Sequence, residues 1–122
     1  MGDPRDGDIW QIDLKDSRGH EQGDTRPAIF VRCTKKAGLC TVIPVTSQKK
    51  VLHYPHTLEI IQSEDTGLEK DSVAMIFQIL TISSDRLLRK RGRISNEDFS
   101  IIKALITDYL KLNHPIETPD TR

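Results

Sequence analysis

The apolar residues of this chain change their spacing once, and this change limits the possible folds more than any other feature. Up to about residue 82 they occur in short runs that suit β-strands, separated by turn-forming residues. Beyond residue 95 they recur at helical spacing, as Phe99, Ile102, Leu105, Ile106, Tyr109 and Leu110. The pattern predicts a mostly β domain of the α+β class, with one amphipathic C-terminal helix packed on a small sheet.

Five stretches before the helix have the composition of β-strands. They are short and bounded by turn-forming residues, and they cover residues 8–14, 27–33, 39–46, 56–61 and 71–82. The segment TKKAG between the second and the third suits a hairpin turn. In the first stretch Trp10, Ile12 and Leu14 share one face, and Ile9 is the one apolar residue on the other. The last stretch is apolar on both faces, which predicts a strand buried in the core or against a partner.

The helix has a start signal, and the chain divides into three parts. Ser95 precedes the helical spacing and Asp98 follows three residues later, which is typical of an N-terminal cap. Residues 113–122 hold two prolines and no apolar periodicity, so we expect a flexible tail. A chain of 122 residues suffices for one core. We therefore expect an N-terminal extension at residues 1–6, one domain at residues 7–112, and the tail.

Charge and cysteine content narrow the functional class only in part. Lys and Arg together number 18, as do Asp and Glu, so no overall field indicates nucleic acid or a membrane. The sequence has no apolar run of membrane-spanning length and no signal-like segment, which predicts a cytoplasmic protein without a membrane partner. Cys33 and Cys40 flank the predicted hairpin turn and could face one another. We interpret them as reduced, small apolar side chains.

Two local clusters concentrate charge or metal-ligand residue types. Residues 86–93, RLLRKRGR, gather five positive charges in eight positions. They could contact a phosphate backbone or form a solvated turn between strand and helix, and the sequence favours neither interpretation. His53 and His56 lie three residues apart, but a metal site needs more ligands in the same region. We therefore expect neither a metal nor a cofactor.

The segment GHEQGDTRP, residues 19–27, carries the most chemistry for its length. It combines a histidine that titrates near neutral pH, a carboxylate and a guanidinium, and its proline opens an apolar run. A positioned histidine can act as general acid or base, and an arginine fork suits phosphate oxygens. Each residue also has an ordinary interpretation. His20 and Glu21 could be solvated, and Arg26 could pair with Asp24 at a strand edge.

The order of several short motifs resembles the MazF/PemK family of toxin endoribonucleases. The motifs are GDIWQIDL, then GHEQGDTRP followed by AIFV, then IPVTS, then SVAMIFQILTISSDRL. Their order and approximate spacing match the family from Gly7 to about Leu112, nearly the whole chain. The resemblance implies an SH3-like β-barrel with a C-terminal helix, a homodimer, and metal-independent cleavage of single-stranded RNA. It also implies a cognate antitoxin that blocks the RNA groove.

The resemblance assigns roles to the residues that match it. Arg26 matches the arginine of the family's RP motif and would stabilise the transition state, and Thr46 would donate a hydrogen bond to the phosphate. Glu21 matches the family's glutamate and would orient His20, Arg26 or the ribose hydroxyl. Many members have a small hydroxyl residue where this chain has His20, so its role as acid or base rests on its chemistry alone. Contacts to RNA are expected from a further set of polar and basic residues, namely Gln22, Ser47, Lys49, Lys50, Arg89 and Arg91.

The chain also departs from the family pattern. Many members have an acidic residue just before the glutamine of the fifth-strand motif and a basic residue shortly after it. This chain has Phe77 before Gln78, and Leu80 follows Ile79. The strand that could supply a second acid–base pair is therefore apolar. This keeps an alternative open: a catalytically weakened or inactive homologue that acts as an RNA- or protein-binding module, with Phe77 and Leu80 in an interface.

Overall fold

The computed structural model describes residues 3–14 and 25–112, which form a mostly β domain with one α-helix. The strands are β1 (Asp8–Asp13), β2 (Thr25–Thr34), β3 (Leu39–Thr46), β4 (Thr57–Ile60), β5 (Ser72–Met75), β6 (Leu80–Ser83) and β7 (Leu87–Arg93). The helix α1 (Asn96–Tyr109) follows the last strand, and short 3-10 turns connect several strands. The predicted class is confirmed.

The described strands form one antiparallel sheet that curls into a half-barrel. The strand order is β4-β5-β3-β2-β1-β7, and β6 pairs with β3 beside this path. β3 is shared between two partners, because Val45 and Thr46 pair with β5 whereas residues 39–42 pair with β6. The sheet therefore turns at β3, in agreement with the small barrel that the resemblance implies.

Both faces of the sheet carry a hydrophobic core. The main core joins the sheet to the helix and includes Ile9, Ile29, Ile43, Ile76 and Ile102. The second core lies on the other face and includes Trp10, Ile12, Phe30, Val42 and Ile82. The predicted shared face of Trp10 and Ile12 is confirmed. Ile9, the apolar exception on the face expected to be polar, is fully buried in the main core.

The prediction of one continuous strand over residues 71–82 is wrong. The chain forms β5, then a 3-10 turn at Ile76–Gln78, then β6. The Ile79 amide closes this turn by donating to the Ile76 carbonyl at 3.0 Å. The break is needed because β5 and β6 pair with different ends of β3. The stretch is apolar on both faces because Ile76 enters the main core and Ile82 enters the second.

Residues 87–93 form a strand and not the solvated turn that was one interpretation of their sequence. β7 pairs antiparallel with β1 through a register with two irregularities, and it is an edge strand. Arg93 Nη1 and Lys90 Nζ lie 3.0 and 3.5 Å from Oδ1 of Asp8, which is buried. Basic residues obscure the strand pattern here because an edge strand tolerates charge on its exposed side. Whether the cluster contacts phosphate stays a prediction.

The helix begins where the sequence predicts. Ser95 Oγ accepts a hydrogen bond from the Asp98 amide at 3.0 Å, and Ile102 is fully buried against the sheet. Among the described residues, no helix is both long enough and apolar enough to cross a membrane. The domain limits at residues 7 and 112 stay a prediction, and the expected tail at residues 113–122 lies outside the described residues.

Candidate active site

The ends of β2 and β3 that lie away from their hairpin turn border a surface cavity of about 390 Å³. The antiparallel register of the two strands brings Arg26, near the start of β2, and Thr46, at the end of β3, to the same end of the sheet. Both residues line the cavity, together with Ser47 and with Arg91 of β7. The fold thus gathers four of the residues predicted from three separate segments of the sequence.

Strand pairing fixes the backbone of Arg26, and no described residue accepts a hydrogen bond from its Nε atom. Its Cα lies opposite Ile12 of β1 in the ladder, so the strand pairing sets where its side chain begins. The Arg26 Nε atom is buried and has no hydrogen-bond partner among the described residues. A buried N–H group without an acceptor is costly, so this atom favours an acceptor supplied by a ligand or by residues 15–24.

Thr46 is placed by two contacts at the point where β3 ends. Its backbone lies opposite Val73 of β5, and its Oγ1 accepts a hydrogen bond from the Gln48 amide at 3.2 Å. An accepting hydroxyl still has its own proton to donate. Thr46 can therefore present a hydrogen-bond donor to an anion in the cavity while the following turn stays in place.

Arg91 is held in the cavity by a short network that also reaches β2. Its Nη1 donates to Gln11 Oε1 at 2.6 Å, and its Nη2 donates to the Gly67 carbonyl at 2.8 Å. Gln11 Nε2 in turn donates to Thr25 Oγ1 at 2.9 Å. Further N–H groups of the guanidinium stay available for an anion. The cavity is therefore lined by two arginines, one of which is oriented by direct hydrogen bonds to Gln11 and Gly67.

Two glycines let residues 65–67 lie directly against β7. A Cβ on Gly67 would lie 2.0 Å from the Arg91 carbonyl oxygen, and a Cβ on Gly92 would lie 2.2 Å from the Asp65 carbonyl oxygen. Gly67 also has a φ of +68°, which side chains disfavour. This close approach brings the Gly67 carbonyl to Arg91 and leads residues 68–72 along the rim of the cavity.

Several polar residues of the cavity were missed from the sequence, namely Gln11, Thr25, Glu69, Lys70 and Ser72. Glu69 and Lys70 place one charge of each sign at the rim, and Ser72 Oγ donates to the Lys70 carbonyl at 2.9 Å. No local motif marks these rim residues, because only the contact of residues 65–67 with β7 brings them to the site. Gln11 did carry a signal, since it is a polar residue between Trp10 and Ile12 on the strand face that Asp13 shares.

Three predicted RNA contacts do not line the cavity. Lys49 Nζ lies 2.7 Å from Glu59 Oε2, and this hydrogen bond raises the pKa of Lys49. Lys50 is exposed in the 3-10 turn at Lys49–His53, and Arg89 is exposed on β7. All three are cations at the surface outside the cavity, so their contact with RNA stays a prediction.

His20, Glu21 and Gln22 lie outside the described residues, which break off at residue 14 and resume at residue 25. Thr25, the first residue of β2, lines the cavity. Its hydroxyl is the acceptor for Gln11. The segment that carries the predicted proton-transfer residues therefore rejoins the sheet at the cavity edge.

The apolar departure from the family pattern lies outside this cavity. Phe77 packs on Tyr54, with 5.6 Å between the ring centroids. Phe77, Gln78 and Leu80 are not among the residues that line the cavity. Phe77 therefore does not line the cavity that contains Arg26 and Thr46.

Of the two histidines considered as metal ligands, His53 is exposed and His56 contacts the helix. Within residues 3–14 and 25–112, no three side chains of His, Cys, Asp or Glu come together in a way that could hold a metal ion. His56 Nε2 lies 2.8 Å from Asp108 Oδ2, and its ring packs edge-on against Tyr109 at 5.2 Å. His56 thus links the connection before β4 to the end of α1.

Comparison with known proteins places this chain and its fold in a defined family. The family described as the PemK-like, MazF-like toxin of type II toxin-antitoxin systems matches residues 5–110. The chain therefore belongs to this family, and the comparisons make it a toxin-type endoribonuclease. They lend no support to the alternative of a binding module without activity.

Relatives of known name cover most of the chain. Endoribonuclease MazF9 from Mycobacterium tuberculosis is 36% identical over 116 residues, which are 88% of this chain and 97% of the relative. Endoribonuclease toxin MazF from Escherichia coli K12 is 34% identical over 107 residues, 84% of this chain and 90% of the relative.

Solved structures agree with the fold. A MazE-MazF structure from Deinococcus radiodurans has a TM-score of 0.71 at 21% identity, and the match covers 89% of this chain and 96% of that one. An endoribonuclease in complex with its cognate antitoxin from a mycobacterial species has a TM-score of 0.69 at 16% identity. That match covers 93% of this chain and 100% of that one. The SH3-like barrel with a C-terminal helix is thus confirmed as the fold.

Proposed function

We propose that this toxin-type endoribonuclease cleaves single-stranded RNA in the cavity at the ends of β2 and β3, without a metal ion. The observation that supports this most strongly is the convergence of Arg26, Thr46 and Arg91, from three strands, on one open cavity. Two guanidinium groups and a hydroxyl are a suitable set for the oxygens of a phosphodiester.

RNA supplies its own nucleophile, so the protein has to stabilise charge and move protons. In the proposed reaction the ribose 2′-oxygen attacks the adjacent phosphorus, and the bond from phosphorus to the 5′-oxygen breaks. Arg26 and the Thr46 hydroxyl stabilise the negative oxygens of the phosphorane. The products are a 2′,3′-cyclic phosphate and a 5′-hydroxyl.

The two protons of this reaction are assigned to the segment before β2. The 2′-hydroxyl loses a proton and the leaving 5′-oxygen gains one, so the mechanism needs a base and an acid. We assign the proton transfers to His20 and Glu21, and Glu21 is also suited to orient His20, Arg26 or the ribose hydroxyl. Support comes from Thr25, which follows this segment and lines the cavity.

Further residues would position the RNA on either side of the scissile phosphate. Arg91 keeps N–H groups for a neighbouring phosphate, and Ser47 lies beside Thr46 at the cavity wall. Gln22, two residues after His20 in the sequence, is also assigned a contact to the RNA. The exposed cations Lys49, Lys50 and Arg89 would contact the backbone beyond the cavity, where such contacts add affinity without reading sequence.

We further propose that the protein acts in the cytoplasm as a homodimer that a cognate antitoxin inhibits. Exposed apolar side chains support a surface that a protein partner covers, since Tyr54 is 58% exposed and Leu110 is 49% exposed. Tyr54 packs on Phe77, and α1 contacts the turn that carries Phe77, so these side chains belong to one region. The endoribonuclease structures solved with antitoxins support the antitoxin as a partner.

The proposal is tested by incubating the purified protein with a long single-stranded RNA in EDTA. We expect cuts at defined sites by the parent and none by the Arg26→Ala, Thr46→Ala double variant. Arg32→Ala is the matched control, because Arg32 is an exposed arginine of β2 that does not line the cavity. Binding without cleavage by the parent would contradict the proposal, and so would cleavage that needs a divalent metal.

A further inference from the structure

The two cysteines face one another across the β2–β3 hairpin, as the sequence suggested. Cys33 and Cys40 are directly opposite in the antiparallel register, one pair before the strands end at the turn. Their Sγ atoms lie 3.2 Å apart, and the Cys40 thiol donates to the Cys33 sulfur. A disulfide requires about 2.05 Å between the sulfurs, so closure needs a shift of about 1 Å on strands already in register.

The two thiols differ in their access to solvent. Cys40 is almost fully buried and belongs to the second core, whereas Cys33 is partly exposed. Both line a surface cavity of about 210 Å³, together with Pro4, Lys35 and Gly38. A small molecule can therefore reach the sulfur pair, and Cys33 is the sulfur that it meets with the least rearrangement.

We propose that Cys33 and Cys40 form a reversible redox site, at which a low-molecular-weight disulfide oxidises the two thiols to one intramolecular disulfide. In the first step the Cys33 thiolate attacks the small disulfide, forms a mixed disulfide and releases one small thiol. In the second step the Cys40 thiolate attacks Cys33 Sγ and releases the second small thiol. Two protein thiols are oxidised, one small disulfide is reduced to two thiols, and both protein protons leave with those thiols.

The surroundings of the two sulfurs set the order of these steps. Burial, and then the neighbouring Cys33, raise the pKa of the Cys40 thiol to about 12, so Cys40 stays protonated at the start. The protonated Cys40 thiol donates to Cys33 Sγ, so the partly exposed Cys33 is the sulfur that meets the small disulfide first. In the mixed disulfide the Cys33 sulfur carries no charge, so its charge no longer adds to the effect of burial on the pKa of Cys40. Cys40 Sγ, which lies 3.2 Å from Cys33 Sγ on the directly opposed residue, is then placed to resolve the intermediate.

The crosslink would stabilise the hairpin and leave the first cavity open. It closes a ring of eight residues, from Cys33 to Cys40, at the turn end of β2 and β3. Arg26 and Thr46 lie at the other ends of the same strands. We therefore expect oxidation to raise the melting temperature by several degrees, because the crosslink constrains the unfolded chain. The redox site does not depend on the proposed RNA chemistry.

The test is titration of the full chain in buffers of oxidised and reduced glutathione, followed by acid quenching and mass spectrometry. We expect the loss of two hydrogen atoms, protection of both cysteines from alkylation, and full reversal by a dithiol. The Cys40→Ser variant should stop at a stable glutathione adduct on Cys33, whereas Cys33→Ser should react far more slowly. Circular dichroism before oxidation checks that each variant is folded.

Three results would overturn the redox site. They are a persistent glutathione adduct on the parent, a disulfide between two chains, and no change at any glutathione ratio. If the buried Cys40→Ser substitution disturbs the fold, the redox site is tested on the parent protein alone. Under reducing conditions its Cys33 must alkylate faster than its Cys40, and the oxidised parent must melt at a higher temperature than the reduced one.

Discussion

Arg91 and Gln11 are joined by a hydrogen bond of 2.6 Å between Nη1 and Oε1, and this bond sets the direction of a guanidinium that lines the candidate active site. Gln11 lies on β1 and Arg91 on the edge strand β7. Gln11 also bonds Thr25, where β2 begins. One amide side chain therefore connects the edge of the sheet to the strand that carries Arg26.

Removal of the Gln11 side chain should weaken the site without unfolding the protein. In Gln11→Ala, Arg91 loses one of two acceptors and keeps the Gly67 carbonyl, while Thr25 loses the Gln11 donor. A hydrogen bond to a charged group contributes about 1.5–3 kcal/mol. We expect kcat/KM for RNA cleavage to fall by about tenfold or more. Gln62→Ala is the control, because Gln62 is exposed and does not line the cavity. Equal loss in both variants would contradict a positioning role for Gln11.

Arg91→Ala should change how RNA binding depends on salt. If Arg91 neutralises one phosphate, its removal should reduce the slope of log K against log salt by about 0.7, the value for one contact on a single strand. The measurement is fluorescence anisotropy with a labelled RNA over a series of salt concentrations. Lys36→Ala, which removes an exposed cation at the β2–β3 turn, is the control. A slope equal to that of the parent would exclude a direct phosphate contact.

Gly67→Ala should damage both stability and activity, because a Cβ there would lie 2.0 Å from the Arg91 carbonyl oxygen. The segment would have to move away from β7, and Arg91 would lose the Gly67 carbonyl as an acceptor. Gly38→Ala is a close control. Gly38 has a similar φ of +67°, but a Cβ there meets only Ser84 Oγ at 3.8 Å. We expect Gly38→Ala to cost about 1 kcal/mol of stability and no activity. Similar effects from both substitutions, measured by denaturation and by cleavage, would count against the close approach.

Asp8 should be important for stability although it lines neither the candidate active site nor the cavity at the cysteines. Its side chain is 1% exposed, accepts from the Arg5 amide at 2.9 Å, and lies 3.0 Å from Arg93 Nη1. Asp8→Ala leaves the Arg5 amide without this acceptor and should lower the free energy of unfolding by about 2 kcal/mol. Urea denaturation measures the loss, with the exposed Asp6→Ala as a control. A loss no larger than that of the control would contradict this role.

The sequence predicts well those parts of the fold that depend on local pattern. β3 occupies the predicted residues 39–46, and Ser95 caps the helix through the Asp98 amide. The sequence did not predict the break at Ile76–Gln78 or the strand β7, and in both cases the reason is tertiary structure. The break at Ile76–Gln78 arises because β5 and β6 pair with different ends of β3, which a periodicity does not reveal. The edge strand β7 is rich in charged residues, a composition that is also typical of a solvated turn.

The residues of the candidate site likewise fall into those that sequence motifs predict and those that only tertiary contacts place there. Arg26 and Thr46 lie in recognisable motifs, and the fold brings them to one cavity. Glu69 and Lys70 could not be predicted, because they reach the rim only through the contact of residues 65–67 with β7. That contact joins segments about 25 residues apart in the sequence and depends on two glycines. Packing of this kind has no local signature.

If Arg26 and Thr46 act on a phosphate that is attacked by the neighbouring 2′-hydroxyl, removal of that hydroxyl must prevent cleavage. A short RNA that the parent cleaves at one site is prepared with a single 2′-deoxynucleotide on the 5′ side of the cut. We expect the modified strand to bind with similar affinity and to remain uncut at that site. Cleavage of the modified strand at the same position would exclude the 2′-hydroxyl as the nucleophile.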